Sequence, residues 1–392
     1  MDTINFRDEA YNIFQDLLNY RRHIHRNPEL SFEEYETSRY IKQILDKMEV
    51  KNYSLTETGV VGLIGNGENC VALRADIDAL PILEGTGLEF ESDKIGKMHA
   101  CGHDMHTAML LGAASILKNH ENQIKGTVKL IFQPGEELIP GGASQMIEAG
   151  VLDNPKPKAI FAQHVHPMSK TGTILTAPGP FTTSADELYW SIIGISSHAA
   201  LPHIGSDPII AASNLIVSLQ SLITKYKNPL DPAVMGITSF HGGTSTNIIP
   251  DIVDLKGTLR TFDNSWRQKA HRIIERFSVE ICRQYDTECL YKPKMGYPST
   301  INDEKTTAFV KDTVRNIFGD NQFEDTRPMM WAEDFAYFSN KIPATLWLLG
   351  VKPSEVKEMP SLHNSAFSPD EDAMPVGTAM LAAVAFKYLE GL

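Results

Sequence analysis

Cysteine is scarce in this chain: 392 residues hold four, Cys70, Cys101, Cys282 and Cys289. They are too few and too scattered for a disulfide framework, and a reducing compartment suits them. Long apolar runs are missing too, none approaching the roughly 18 residues of a membrane span. The opening MDTINFRDEAYNIFQ places acids where a secretory signal needs basic residues and then an apolar run. Positive charge is short, with 36 Lys and Arg against 49 Asp and Glu and a net charge of −13. That balance argues against nucleic acid or an anionic membrane as the main partner, although a local pocket can still carry the opposite sign. There is no internal repeat and no low-complexity segment. The expectation is a soluble, cytoplasmic, acidic protein.

What the chain does have is one dense stretch, Met98-His99-Ala100-Cys101-Gly102-His103-Asp104-Met105-His106. Cys, His and Asp are the side chains that hold a borderline-soft divalent metal, and they rarely crowd together where only 13 residues are His. Cys101 and His103, two apart on an extended or turning segment, point the same way. They would supply half of a metal shell, the rest coming from elsewhere.

Periodicity predicts a helix over residues 6–26 with Tyr11, Phe14, Leu17 and Leu18 on one face. Ser31-Phe32-Glu33-Glu34 reads as a capping box opening a second helix to about Met48. Strands are expected at 59–64, 70–74, 128–132 and 159–165, with an apolar helix at 107–119. Candidate ligands recur at the C-terminal ends of these strands, the edge where open α/β sheets bind ligands. From about residue 185 the order becomes βαββαβ, the ferredoxin-like split unit. The predicted architecture is therefore a discontinuous α/β domain (1–183 and 297–392) with a mixed sheet, into which a ferredoxin-like domain (184–296) is inserted.

Gln133-Pro134-Gly135-Glu136-Glu137 follows an apolar strand. Pro-Gly breaks the strand, so the adjacent glutamates can approach one site from different sides. One carboxylate would ligate metal; the other, unligated, would take a proton from a water acidified by the metal.

These motifs resemble those of the dimetal aminoacylase and hippurate hydrolase family of amidohydrolases, which includes plant auxin-conjugate hydrolases and N-acetyldiaminopimelate deacetylases. The likeness rests on Arg74-Ala75-Asp76-Ile77-Asp78-Ala79-Leu80-Pro81, the 98–106 stretch, Phe132–Glu137, His198–His203, Asn247–Pro250, Gly257–Arg260 and His363-Asn364, in order along nearly the whole chain. It implies cleavage of the amide bond of N-acyl amino acids or similar small conjugates. It further implies two divalent ions per subunit, held by Cys101, His103, Glu137, His164 and His363, with Glu136 as general base. Manganese or zinc is expected; cobalt or nickel would suit the same donors. The inserted domain would be a lid carrying a dimer interface, a tetramer being possible. His198 would reach a neighbouring active site to stabilise the oxyanion, and Asn247 and Arg260 would hold the substrate carboxylate.

His166 competes with His164, since both flank Val165. Asp76, Asp78, Asp104, His99, His106 and the Glu333-Asp334-Phe335 segment are expected to support the ligands through hydrogen bonds. Gly135 stands where alanine is usual, a change expected to be harmless, and Trp331 where glycine is usual, which would narrow a substrate pocket. Deacetylation of diaminopimelate conjugates, a small-peptide carboxypeptidase activity, and a non-catalytic metal-dependent binding protein are the alternatives. A phosphoesterase is disfavoured, for want of a Gly-rich phosphate cradle or basic cluster beside the ligands.

Overall fold

The apolar runs between residues 59 and 165 form the middle of an eight-stranded mixed sheet. In chain order the elements are helices α1 (Phe6–Asn12), α2 (Phe14–Arg26) and α3 (Tyr35–Lys47), strands β1 (Lys51–Leu55), β2 (Gly59–Gly65) and β3 (Cys70–Asp76), helix α4 (His103–Asn119), strand β4 (Thr127–Gln133), helix α5 (Gly142–Glu148) and strand β5 (Ile160–Lys170). The sheet runs β1-β2-β4-β3-β5 and continues through Ala344–Lys352, Ile174–Thr176 and Phe323–Asp325. β4, β3, β5 and Ala344–Lys352 are mutually parallel, while β2 is antiparallel to both β1 and β4. Every residue of β3 and β4 is buried, which is why these strands read as continuous apolar runs rather than alternating ones. Helix α4 and the closing helix Met374–Glu390 are buried nearly all round and pack on each other and on β3. Gly112 permits the approach of α2 to α4, since a Cβ there would lie 2.3 Å from Leu17 Cδ2.

This computed structural model describes residues 4–392. It divides into two compact units, one of Met1–Phe181, Ile301–Pro328 and Asp334–Leu392, the other of Thr182–Thr300 and Met329–Glu333. The second unit has strands Asp186–Ile193, Ala233–His241, Ile252–Thr261 and Glu288–Met295 with helices Pro208–Tyr226 and Asn264–Arg283. Its four antiparallel strands are ordered second-third-first-fourth, the ferredoxin-like arrangement predicted from the sequence. Trp190, Leu215, Leu255 and Ile274 are among its core residues.

Three local expectations are corrected. The first helix is two, α1 and α2, interrupted at Ile13, and Tyr11 is exposed. Ser31 does not cap α3: that helix starts at Tyr35 without a side-chain cap, and Ser31 Oγ donates instead to Asp78 Oδ2 at 2.6 Å. Helix Pro208–Tyr226, with a mean hydropathy of 1.2, is long and apolar enough to cross a membrane by length and composition. Its Ala211, Ala212, Leu215 and Leu219 are buried in the second core, whereas Ser213, Asn214 and Gln220 are exposed. That two-faced pattern belongs to a packed surface helix.

Candidate metal centre

The 98–106 stretch enters α4 through a tight turn. Met98 and Leu80 exchange two backbone hydrogen bonds, and Gly102 then adopts φ +83°. Only glycine fits there, because a Cβ would lie 2.5 Å from Val165 Cγ2. The turn delivers Cys101 and His103, both buried, to the end of the parallel strands. Cys101, His103 and His164 offer donor atoms within 4.8 Å of one another, as do Cys101, Glu137 and His363, and likewise His103, Glu136 and Glu137. Cys101 belongs to two of these groups.

The far nitrogens of His103 and His164 are tied. His103 Nδ1 lies 2.9 Å from the Asp78 carbonyl and 3.2 Å from Asp78 Oδ1, so this N–H donates and Nε2 faces the site with no hydrogen-bond partner. His164 Nδ1 sits 2.8 Å from the Val165 carbonyl, which turns Nε2 toward Cys101 Sγ, 3.5 Å away. His166 is only partly buried, lies 3.0 Å from Ser169 Oγ and enters none of the groups. His363 has φ +63°, held by its N–H to the Ala100 carbonyl at 2.9 Å. Its Nε2 stands 3.1 Å from Glu137 Oε1, yet that oxygen has no hydrogen-bond partner. The two side chains thus converge on one point. Glu136 is buried, and its Oε1 accepts from the Asp334 N–H at 3.4 Å.

The electrostatics call for a cation. Burial pushes the Cys101 thiol well above its ordinary value, and Glu137, Glu136 and Asp76 push it further. Burial pulls His103 down, but Asp76 and Asp78 outweigh it and hold the imidazole at about 10. Burial, followed by the neighbouring His106, takes His164 well below the usual histidine range. A buried thiol, two glutamates and the imidazoles of His103 and His164 form the donor set of a divalent ion. The orphaned His103 Nε2 and Glu137 Oε1 are atoms such an ion would satisfy.

Supporting residues surround this set. Asp76, His103 and His106 also converge, but His106 has neither nitrogen to spare: Nδ1 is 2.6 Å from Asp76 Oδ1, and Nε2 accepts from the Val165 N–H at 2.9 Å. Arg74 donates to Asp76 at 2.7 Å, to Asp334 at 2.8 Å and to Gln133 at 2.8 Å. Behind α4, Asp104 receives Arg21 Nε at 3.1 Å and His25 Nδ1 at 2.9 Å, while His25 Nε2 meets Glu84 at 3.0 Å. His99 is buried with neither ring nitrogen hydrogen-bonded, and burial lowers its pKa to about 4. Sequence reading missed Arg21, His25 and Glu84. A signal existed, since Arg21 and His25 continue at four-residue spacing the face that Leu17 buries.

In the second unit, His198 and Asn247 are neighbours. His198 pairs with Ile248 across a short ribbon, and the Ala199 N–H donates to the Asn247 carbonyl at 3.0 Å. His198 Nδ1 accepts from the Ala200 N–H at 3.0 Å, which leaves Nε2 as the protonated, exposed end. Arg260 stands apart on strand Ile252–Thr261, opposite Val234, half-buried. Burial lowers its pKa against the pull of Asp186 and Glu187. Trp331 is half-buried, and its carbonyl accepts from the Thr183 N–H at 3.0 Å.

Comparison with known proteins identifies the family. The sequence profile of peptidase family M20/M25/M40 matches residues 72–387. An IAA-amino acid hydrolase ILR1-like 4 from Arabidopsis thaliana is 40% identical over 383 residues, covering 96% of this chain and 86% of the relative. An N-acetyl-L-cysteine deacetylase from Bacillus subtilis is 39% identical over 377 residues, covering 95% and 87%. The crystal structure of a dinuclear metal binding peptidase of the M20 family, also from Bacillus subtilis, superposes with a TM-score of 0.84 at 35% identity, covering 97% of this chain and 100% of that one. The chain belongs to peptidase family M20/M25/M40.

Proposed function

We propose that this protein is a metal-dependent amidohydrolase that cleaves the amide bond of N-acyl amino acids or similar small conjugates. The convergence of Cys101, His103, Glu137, His164 and His363 beside a separate buried carboxylate, Glu136, carries the reading. Relatives that act on amino acid conjugates and N-acetyl-cysteine support the substrate class, and the dinuclear M20 neighbour supports two divalent ions. Those five residues would hold the ions, which when bound supply an acidified water and a polarised carbonyl.

The chain's own groups do the rest. Glu136 takes a proton from the attacking water as the C–O bond forms and the carbonyl electrons move to oxygen; it then returns the proton to the amine, whose C–N bond breaks as the carbonyl re-forms. His198, with Nε2–H outward, donates to the oxyanion of a neighbouring subunit's substrate. Arg260 and Asn247 receive the substrate carboxylate, for which a planar guanidinium is a bidentate match. Residues 184–296 serve as lid and dimer interface in this reading, and the cytoplasm suits the four free thiols.

The test is a panel of N-acetyl- and N-benzoyl-amino acids, dipeptides and phosphoesters, assayed before and after chelation. The expected result is chelator-sensitive cleavage of the acyl amino acids. Preferential phosphoester or dipeptide turnover, or no turnover with metal bound, would overturn the assignment.

A further inference from the structure

The segment misread as a helix cap grips the loop that bears both glutamates. Glu34 is fully buried, and its Oε1 accepts from the Phe32 N–H at 2.9 Å and from the Gly135 N–H at 2.8 Å. Its Oε2 accepts from Thr58 Oγ1 at 2.7 Å. Gly135 has φ +61° and lies under the Phe32 ring, where a Cβ would sit 2.3 Å from Cε1. Its carbonyl is fixed from the other side by the Gly142 N–H at 3.0 Å. Phe32 itself has φ +66°, a conformation uncommon outside glycine that persists only where its surroundings enforce it, often at functional sites. Two residues on, the Glu137 N–H donates to Asp78 Oδ2 at 3.0 Å, the same oxygen that receives Ser31 Oγ. The 31–34 turn therefore fixes the backbone on both sides of Glu136.

We propose that Glu34 is a positioning residue for Glu136, its carboxylate setting the direction in which the base points by holding the Gly135 peptide. The inference rests on the reading of Glu136 as base. A neutral glutamine side chain can satisfy the same geometry: its oxygen accepts from the Phe32 and Gly135 N–H groups while its amide donates to the Thr58 hydroxyl, which then turns to accept. Alanine leaves all three donors buried and unmet. Alanine at Gly135 is likewise not tolerated here, because its methyl would displace the Phe32 ring.

The test measures kcat, KM and metal content of the metal-loaded enzyme on the panel's best substrate. Glu34→Ala should lower kcat by about 10²-fold, the cost of misplacing a reacting group by about 1 Å. KM and metal content should stay near wild type, and Glu34→Gln should recover most of the loss. Should Glu34→Ala not fold, Gly135→Ala should show the same kcat-selective loss, partly restored by Phe32→Ala in the same chain. Wild-type kcat in Glu34→Ala, no recovery with glutamine, or a loss that tracks lost metal would overturn the proposal. Glu136→Gln serves as the control. If it is inactive while Glu34→Ala turns over normally, only the positioning role falls; if it is active, the base assignment itself falls.

Discussion

The two units hold their candidate functional residues in opposite ways. In the first, His103 and His164 each spend one ring nitrogen on a carbonyl or carboxylate so that the other faces inward, and Glu136 and Glu137 sit on a loop tied at both ends. In the second, His198 and Asn247 are exposed beside a short two-stranded ribbon, and the half-buried Arg260 side chain has no hydrogen bond or ion pair among the described residues. The first set is preorganised by the fold, so its buried orphaned atoms await an ion. In the second, His198 and Asn247 are open to solvent, so their ordering is left to substrate. The contrast suggests that losses in the first unit should appear in metal affinity or kcat, and that losses at Arg260 should appear in KM.

The sharpest break in that pattern comes from Glu136. Glu136→Gln should lower kcat by about 10²–10⁴-fold, the usual share of a general base, with metal content unchanged; mass spectrometry of the bound metal beside turnover checks both. His198→Ala should cost about 10²–10³-fold, as for an oxyanion donor. Mixing it with Glu136→Gln should restore part of the activity through hybrid dimers, and no recovery after verified subunit exchange would return His198 to its own chain. Asp78→Asn, which weakens the tether on His103, should lower metal affinity by about 10–100-fold, read by competition with a chelating dye. Arg260→Lys should raise KM by about 10-fold and leave kcat nearly unchanged, since one bidentate contact becomes a point charge.

The smallest effect is on stability. Burial pulls His25 down, yet its bonds to Asp104 and Glu84 hold it at about 9, above its unfolded value of 6.5. A raised pKa contributes stability that is full below 6.5 and lost as pH rises through 9. The melting temperature should therefore fall across that window, and His25→Gln should flatten the fall.

Much of this was legible in the sequence because the responsible patterns are local. The 98–106 cluster declares its chemistry by composition, and the βαββαβ order follows from alternating periods. Glu34 was not legible: it acts on a backbone N–H 101 positions away, and the serine-x-x-glutamate spacing around it reads equally well as a cap. The preference for His164 over His166 rests on the family resemblance alone; the ring contacts to Val165 O and Ser169 Oγ that separate the two appear only in three dimensions. Arg21 and His25 are passed over in the sequence because their partner Asp104 lies some 80 positions on; folding buries them against it.

The most direct test of the central claim, that the first unit holds metal and performs proton transfer through separate residues, is calorimetric titration of metal-stripped wild-type and Glu136→Gln protein with Mn²⁺, followed by assay of both. Two equivalents bound by each, with hydrolysis in the wild type alone, is the predicted result. Equal turnover by the two proteins, or loss of binding in Glu136→Gln, would contradict it.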